Sequence, residues 1–266
     1  MPKQYILLTH IIQVIGGLFM EYKLRLNNIS KVFNGEEPLE AIKNITFDVK
    51  NKEIVSIVGT SGCGKSTLLN IISGLDESTN GEILFDKEKP RISYMLQSDA
   101  LLPYRTVYEN AILGLELLHE DTKENKEYVL KLLEEYGLKN FIDKKPNELS
   151  GGMRQRVSLI RSIAIKPDIL LLDEPFSALD YYTRITISND VKKIIESLGI
   201  TTIIITHDIA EALSLSSKII VLSSRPSVVK NIYNIEFNSN DAIERRSEKN
   251  FNGYYEKIWR DLDVNI

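Results

Sequence analysis

Gly59-Thr60-Ser61-Gly62-Cys63-Gly64-Lys65-Ser66-Thr67 is the stretch that decides the fold. An apolar run, Ile54-Val55-Ser56-Ile57-Val58, leads into it, and Leu68-Leu69-Asn70-Ile71-Ile72 follows with the apolar spacing of a helix. Strand, glycine-rich turn and helix, in that order, are the context of a phosphate-binding P-loop. The glycines let successive backbone N–H groups curve around phosphate oxygens, and the helix points its positive N-terminal end at the same place. Lys65 adds a mobile charge for the outer phosphates, and the Ser66 hydroxyl suits a magnesium ion. A nucleoside triphosphate is therefore the expected ligand. The loop alone does not say what the chain does with it.

Working outward, 266 residues allow one large domain or one domain with an inserted lobe. Hydrophobic residues at 43% and charged residues at 26% describe a globular chain with a sizeable core. A net charge of −4 argues against a nucleic-acid partner held by a broad basic surface. One cysteine, Cys63, excludes an intrachain disulfide and leaves too few thiols for a zinc site, so a reducing cytosol is the expected setting. The stretch from Tyr5 to Met20 is apolar, yet short for a membrane span and interrupted by His10 and Gln13. Ile15-Gly16-Gly17 is what a purine-rich ribosome-binding site would encode if read through, so translation is expected to start at Met20 and residues 1–19 to be a non-native or disordered extension.

Strands are expected around Leu24, Leu26 and Ile29, and again around Ile42, Ile45, Phe47 and Val49, with a turn at residues 34–38 between them. Phe33 ends the first; it is either a platform for a base or a core aromatic. Two more strands follow at residues 81–85 and 92–96, the second running into Gln97. Thr106 and Glu109 form a capping box that opens a helix to about residue 118, and further helices are expected over 123–136 and 149–165. This helical block interrupts an alternation of strand and helix, which marks it as an inserted lobe over about residues 98–165. The fully apolar Ile169-Leu170-Leu171-Leu172 fits a covered parallel sheet, and Thr201-Thr202-Ile203-Ile204-Ile205 a neighbouring strand. Residues 218–222 are the last core strand expected, and an aromatic tail occupies 236–266.

Two acids ending a buried strand beside a P-loop are placed for magnesium chemistry. Asp173 fits the carboxylate that complements Ser66, and Glu174, pointing elsewhere, can position or deprotonate water. His207 ends the adjacent strand and either reaches the terminal phosphate or is structural. Gln97 is open to metal or water. Leu149-Ser150-Gly151-Gly152-Met153 makes a second anion-binding helix start for which one chain with one triphosphate has no evident use.

At these residues the chain resembles the ATP-binding subunit of an ATP-binding cassette (ABC) transporter. The likeness runs through residues 59–67, Gln97, residues 149–155, Leu172-Asp173-Glu174-Pro175, Ser177-Ala178-Leu179-Asp180 and His207. It implies an α/β fold: a P-loop NTPase core with a mainly parallel sheet, an N-terminal antiparallel β subdomain and an inserted α-helical lobe, together spanning residues 20–235. It also implies roles. Phe33 would stack on adenine, and residues Gly59 to Thr67 would hold the phosphates of ATP. Ser66, Gln97 and Asp173 would serve Mg2+, with Lys65 on the phosphates, Glu174 as the catalytic carboxylate and His207 on the γ-phosphate. Ser150, Gly151, Gly152 and Asp180 would face ATP on the P-loop of a second copy. The implied setting is the cytoplasmic face of a membrane, bound peripherally to a permease through residues 97–110. Leu101-Leu102-Pro103-Tyr104-Arg105-Thr106-Val107-Tyr108-Glu109-Asn110 is similar to importers of the nitrate, sulfonate, taurine and thiamine-precursor group, which implies an extracytoplasmic solute-binding protein and a small anionic solute. Against this stand a soluble cassette of DNA maintenance, disfavoured by the short insert and negative charge, and a regulatory cassette without turnover, disfavoured by Glu174, Gln97 and His207.

Overall fold

The computed structural model describes residues 22–262. The expectations for residues 1–19 and for a start at Met20 lie outside the described residues. Two long strands, β1 (Tyr22–Phe33) and β2 (Leu39–Lys50), pair antiparallel across the expected turn. Chain then enters β3 (Ile54–Val58), the phosphate loop and α1 (Lys65–Ser73), and returns as β4 (Asn80–Phe85) to the free edge of β1. The alternation seen in the sequence is that of a half-covered sheet: Leu24, Leu26 and Ile29 are buried, as are Ile42, Ile45, Phe47 and Val49 opposite them.

The second sheet has six strands in the order β5-β6-β7-β3-β8-β9: β5 (Ile92–Met95), β6 (Ile169–Asp173), β7 (Thr201–Thr206), β8 (Lys218–Leu222) and β9 (Val229–Asn234) join β3. Every residue of β3, β6, β7 and β8 is buried, the pattern of parallel strands covered on both faces. Residues 218–222 are the last fully buried strand, as expected, but one unexpected strand follows at the edge. β9 pairs antiparallel with β8 at the sheet edge, and its mostly exposed residues gave no apolar signal to find it by.

Parallel registry positions the site. Val58 pairs with Thr206, Ile205 with Asp173, and Leu172 with Met95. The C-terminal ends of β3, β7, β6 and β5 therefore reach one edge together, and the residues that follow them share that edge.

Between β5 and β6 lies the helical lobe: α2 (Val107–Ala111), α3 (Leu113–Leu117), α4 (Lys123–Glu135) and α5 (Gly151–Ala164). The Thr106–Glu109 capping box is present. The single helix expected over 106–118 is broken at Ile112 into two short ones. A side chain on Gly114 would come within 2.8 Å of Ile165, so α3 lies hard against the end of α5. After β6 come α6 (Tyr181–Leu198) and α7 (Ile209–Leu215), then α8 (Ala242–Arg245) and α9 (Phe251–Asp261). Phe251 and Ile258 of α9 are buried in one cluster with Val58, Leu213 and Val221. Arg245 donates to the Ser214 and Ser216 carbonyls at the end of α7. The tail is thus packed on the helix that follows His207.

Candidate nucleotide-binding site

The phosphate loop is tight because its glycines leave no alternative. A side-chain carbon on Gly59 would stand 2.7 Å from Cys63 Sγ. Gly62 and Gly64 hold φ of +74° and +115°, the left-handed region that a side chain strains. Cys63 itself is buried beneath the loop. Lys65 is also largely buried and donates from Nζ to the carbonyls of Gly59 at 2.8 Å and Thr60 at 3.0 Å.

At the end of β6 the two acids diverge. Asp173 accepts a hydrogen bond from Tyr94 Oη at 3.1 Å, and burial, reinforced by Asp173, pushes the Tyr94 phenol above the ordinary tyrosine range. Glu174 adopts φ +45°. That left-handed backbone is held by its own N–H on the Ile205 carbonyl at 2.9 Å and by Ser177 Oγ on its carbonyl at 3.0 Å. Strain of this kind persists only where the surroundings fix it. Its effect is to swing the Glu174 side chain away from Asp173, where Oε2 lies 3.1 Å from Gln97 Nε2 and 3.3 Å from His207 Nδ1.

Phe33, Leu39, Ser61, Gly62, Gly64, Lys65, Ser66, Thr67, Gln97, Glu174 and Arg225 line one cleft of about 360 Å³, a volume in the range of small-ligand sites. Phe33 is 40% exposed, with Lys31 Nζ 5.1 Å from its ring centroid. An adjoining recess is lined by Gln97, Ser98, Asp173 and Ser177. An aromatic, a phosphate loop and a carboxylate with two polar partners thus share a wall.

Residues 42–177 match the family model described as ABC transporter. An ABC transporter ATP-binding protein of Bacillus subtilis is 40% identical over 87% of this chain and 92% of its own length. This chain belongs to the ABC transporter family. A spermidine/putrescine import ATP-binding protein of Vibrio cholerae is 40% identical over 76% of the chain, which spans 55% of that protein. A nitrate import ATP-binding protein of Synechococcus elongatus is 36% identical over 82% of the chain, which spans 35% of that protein. Among solved structures, the ATP-binding cassette MJ0796, in a dimeric post-hydrolysis state bound to ADP and Pi, is 34% identical and superposes with a TM-score of 0.67 over 80% of this chain and 99% of its own. The fold is that of an ABC ATPase cassette, and the cassette is an ATPase.

Four of the residues singled out in the sequence lie away from the cassette's cleft. Ser150 caps α5, its Oγ accepting from Met153 N at 3.3 Å, and Gly151 and Gly152 open that helix. A side chain on Gly152 would meet Ile187 at 3.2 Å and Thr183 at 3.3 Å, so α5 and α6 touch through the glycine. Asp180 caps α6, accepting from Thr183 N at 3.1 Å, and these Thr183 bonds hold its carboxyl below the usual range. None of the four lines the cleft.

Several residues matter that sequence reading did not single out. Tyr94 steers Asp173. Arg154 and Arg161 of α5 grip the loop after Gln97, through the Asp99 carboxylate at 2.9 Å and the carbonyls of Asp99 and Ala100 at 2.9 and 2.7 Å. Arg225 lies on the phosphate loop, its Nε donating to the Gly62 carbonyl. Such contacts join positions far apart in the chain and leave no local pattern.

Donor chemistry in the cassette fits magnesium. Among the described residues no group of three or more His, Cys, Asp and Glu is placed to hold a metal. Ser66 offers a hydroxyl and Asp173 a carboxylate. The Gln97 amide nitrogen is given to Glu174, which leaves its oxygen as a ligand. Such a sparse, hard-oxygen set suits an ion that keeps several waters and takes its remaining ligands from phosphate.

Proposed function

We propose that this cassette hydrolyses ATP to power uptake of a small anionic solute through a membrane permease. The observation that carries the catalytic part is the convergence of Gln97 and His207 on Glu174 Oε2, in a cleft shared with the phosphate loop. In this reading Phe33 stacks on adenine, and the backbone of residues 59–67 with Lys65 holds the phosphates. Ser66, Gln97 and Asp173 hold Mg2+, which supplies charge neutralisation at the terminal phosphates. Glu174 orients a water in line with the γ-phosphorus and takes its proton. Water's oxygen forms the new P–O bond as the bond to the β-phosphate oxygen breaks, and ADP departs as the leaving group. His207 donates to the γ-phosphate, and Gln97 links this event to the loop at residues 97–110, where the permease docks.

Ser150, Gly151, Gly152 and Asp180 lie outside the cleft because they close a second copy's site. The α5 N-terminus, with Ser150 as cap, then presents its N–H groups to that copy's ATP. Two chains enclose two nucleotides; binding closes the pair and hydrolysis reopens it, a population shift that the permease converts into alternating access. The cassette works on the cytoplasmic face of the membrane as a peripheral subunit, supplied by an extracytoplasmic binding protein. Among the described residues no helix is long and apolar enough to cross a membrane.

Removing the base tests the catalytic reading directly. Glu174→Gln should bind ATP as the parent does while turnover falls by about 10²–10⁴-fold, the usual contribution of a general base. Phosphate release at saturating ATP is the measurement, and undiminished turnover would refute the role. Importer and solute are tested by genomic neighbours: a multispan permease and a secreted binding protein, whose ligand names the cargo.

A further inference from the structure

We propose that Arg225 is a second cationic ligand for the nucleotide, binding a phosphate that ATP and ADP have in common. The inference rests on the reading of the cleft as an ATP site. Residues 223–228 join β8 to β9 as a braced loop: Ser223 N donates to the Val228 carbonyl at 3.0 Å, and Val228 N to Ser223 Oγ at 3.0 Å. Ser227 ties this loop to β2, its N–H on the Ala41 carbonyl at 3.0 Å and its carbonyl accepting from Lys43 N at 2.9 Å. Its Oγ donates to the Cys63 carbonyl.

From this base the Arg225 side chain lies across the phosphate loop. Nε is 3.2 Å from the Gly62 carbonyl oxygen, and Nη2 donates to the same atom. A carbon built on Gly62 would be 3.5 Å from Nη2. A guanidinium carries five N–H donors, and these two contacts use two of them. Among the described residues no carboxylate pairs with Arg225 and Nη1 has no acceptor. Arg91, Arg105, Arg154 and Arg156 each bond an acidic side chain. An arginine fixed on the wall of a phosphate cleft, with no acid to neutralise it and donors to spare, matches a phosphate oxygen.

Strand order says which phosphate. Gln97, Glu174 and His207 follow β5, β6 and β7, all on one side of β3. Arg225 follows β8, on the other side, and its loop bonds Ala41 beside the cleft residue Leu39. The phosphate loop lies between. Chemistry at the terminal phosphate belongs to the Glu174 side, and Arg225 faces the nucleotide nearer its base.

The test is equilibrium binding of fluorescent ADP and ATP to the full chain, as parent and as Arg225→Ala, Arg225→Lys, Ser223→Ala and Lys65→Ala. Arg225→Ala should weaken both nucleotides by the same factor, about tenfold for one exposed charge-assisted contact. It should also make ADP binding less sensitive to added salt, and Arg225→Lys should restore that sensitivity. Ser223→Ala, which loosens the loop without touching the guanidinium, should stay within about twofold of the parent, well under the single-contact scale. The proposal is overturned if Arg225→Ala binds ADP like the parent, if only ATP is affected, or if Ser223→Ala costs as much. Failure of the underlying reading looks different: Lys65→Ala would then bind both nucleotides normally.

Discussion

Glu211 shows how a single side chain can carry a cost that the sequence hides. It lies in the first turn of α7, four residues after His207, and its backbone N–H is capped by Asp208 at 3.0 Å. The residue is 4% exposed, and among the described residues its Oε1 has no partner, nor has the buried Nε of Arg184. Burial, with Asp208 adding to it, pushes the carboxyl up to about 7, against the pull of Thr206, Arg184 and Arg246. The folded state therefore keeps this proton between pH 4.5 and about 7, where the unfolded chain has lost it. Stability from this group is fully present at the acid end of that window and declines as pH rises through it, by roughly 3 kcal/mol in all. Glu211→Gln should flatten the decline and raise stability at pH 8 relative to the parent. Urea unfolding at several pH values reads this; an unchanged slope would dispose of it. The helix cap at Thr106 and Glu109 was legible, because it is written in local spacing. Burial of the Glu211 carboxyl was not, since it depends on how distant parts of the chain pack together.

At the scale of elements, the helical lobe depends on one polar side chain. Asn110 in α2 is wholly buried; its Oδ1 accepts from Leu102 N at 2.7 Å. Nδ2 donates to the carbonyls of Leu102 at 3.1 Å, Arg105 at 3.2 Å and Thr106 at 2.9 Å. A loop containing Pro103 and running without regular structure is thereby given the hydrogen bonds that a helix would have supplied. Asn110→Ala should cost about 2–4 kcal/mol, since several buried groups lose their partner at once. Chemical denaturation measures this, and a loss below about 0.5 kcal/mol, the size of a surface change, would mean that water replaces the amide. Strands were legible where both faces are covered, as in β6 and β7, because buried parallel strands write themselves as apolar runs. The edge strand β9 was not, and neither was the break at Ile112, two residues before the close approach of α3 to Ile165 at Gly114.

For the whole molecule, the open question in the sequence was why one chain carries two anion-binding helix starts. The phosphate loop and Ser150 are in different places, and α5, which begins at Ser150, also holds the loop after Gln97 through Arg154 and Arg161. One helix therefore connects the surface proposed to face a second copy with the segment proposed for the permease. With Glu174→Gln, ATP and magnesium should convert a monomer to a dimer in light scattering. Adding Ser150→Arg should leave nucleotide binding to each chain intact while abolishing that dimer. Dimers that survive the second substitution would count against the shared site.

Consider finally the parallel strands that carry these groups. β3, β6 and β7 are buried on both faces, so no inside-outside alternation marks their correct alignment. Yet a slip of one residue between β6 and β7 would displace Glu174 from His207 by about 3.3 Å, as far as the 3.3 Å that now separates their polar atoms. The edge where Glu174 meets His207 thus acts as a gauge of assembly: a misregistered sheet would part the two side chains.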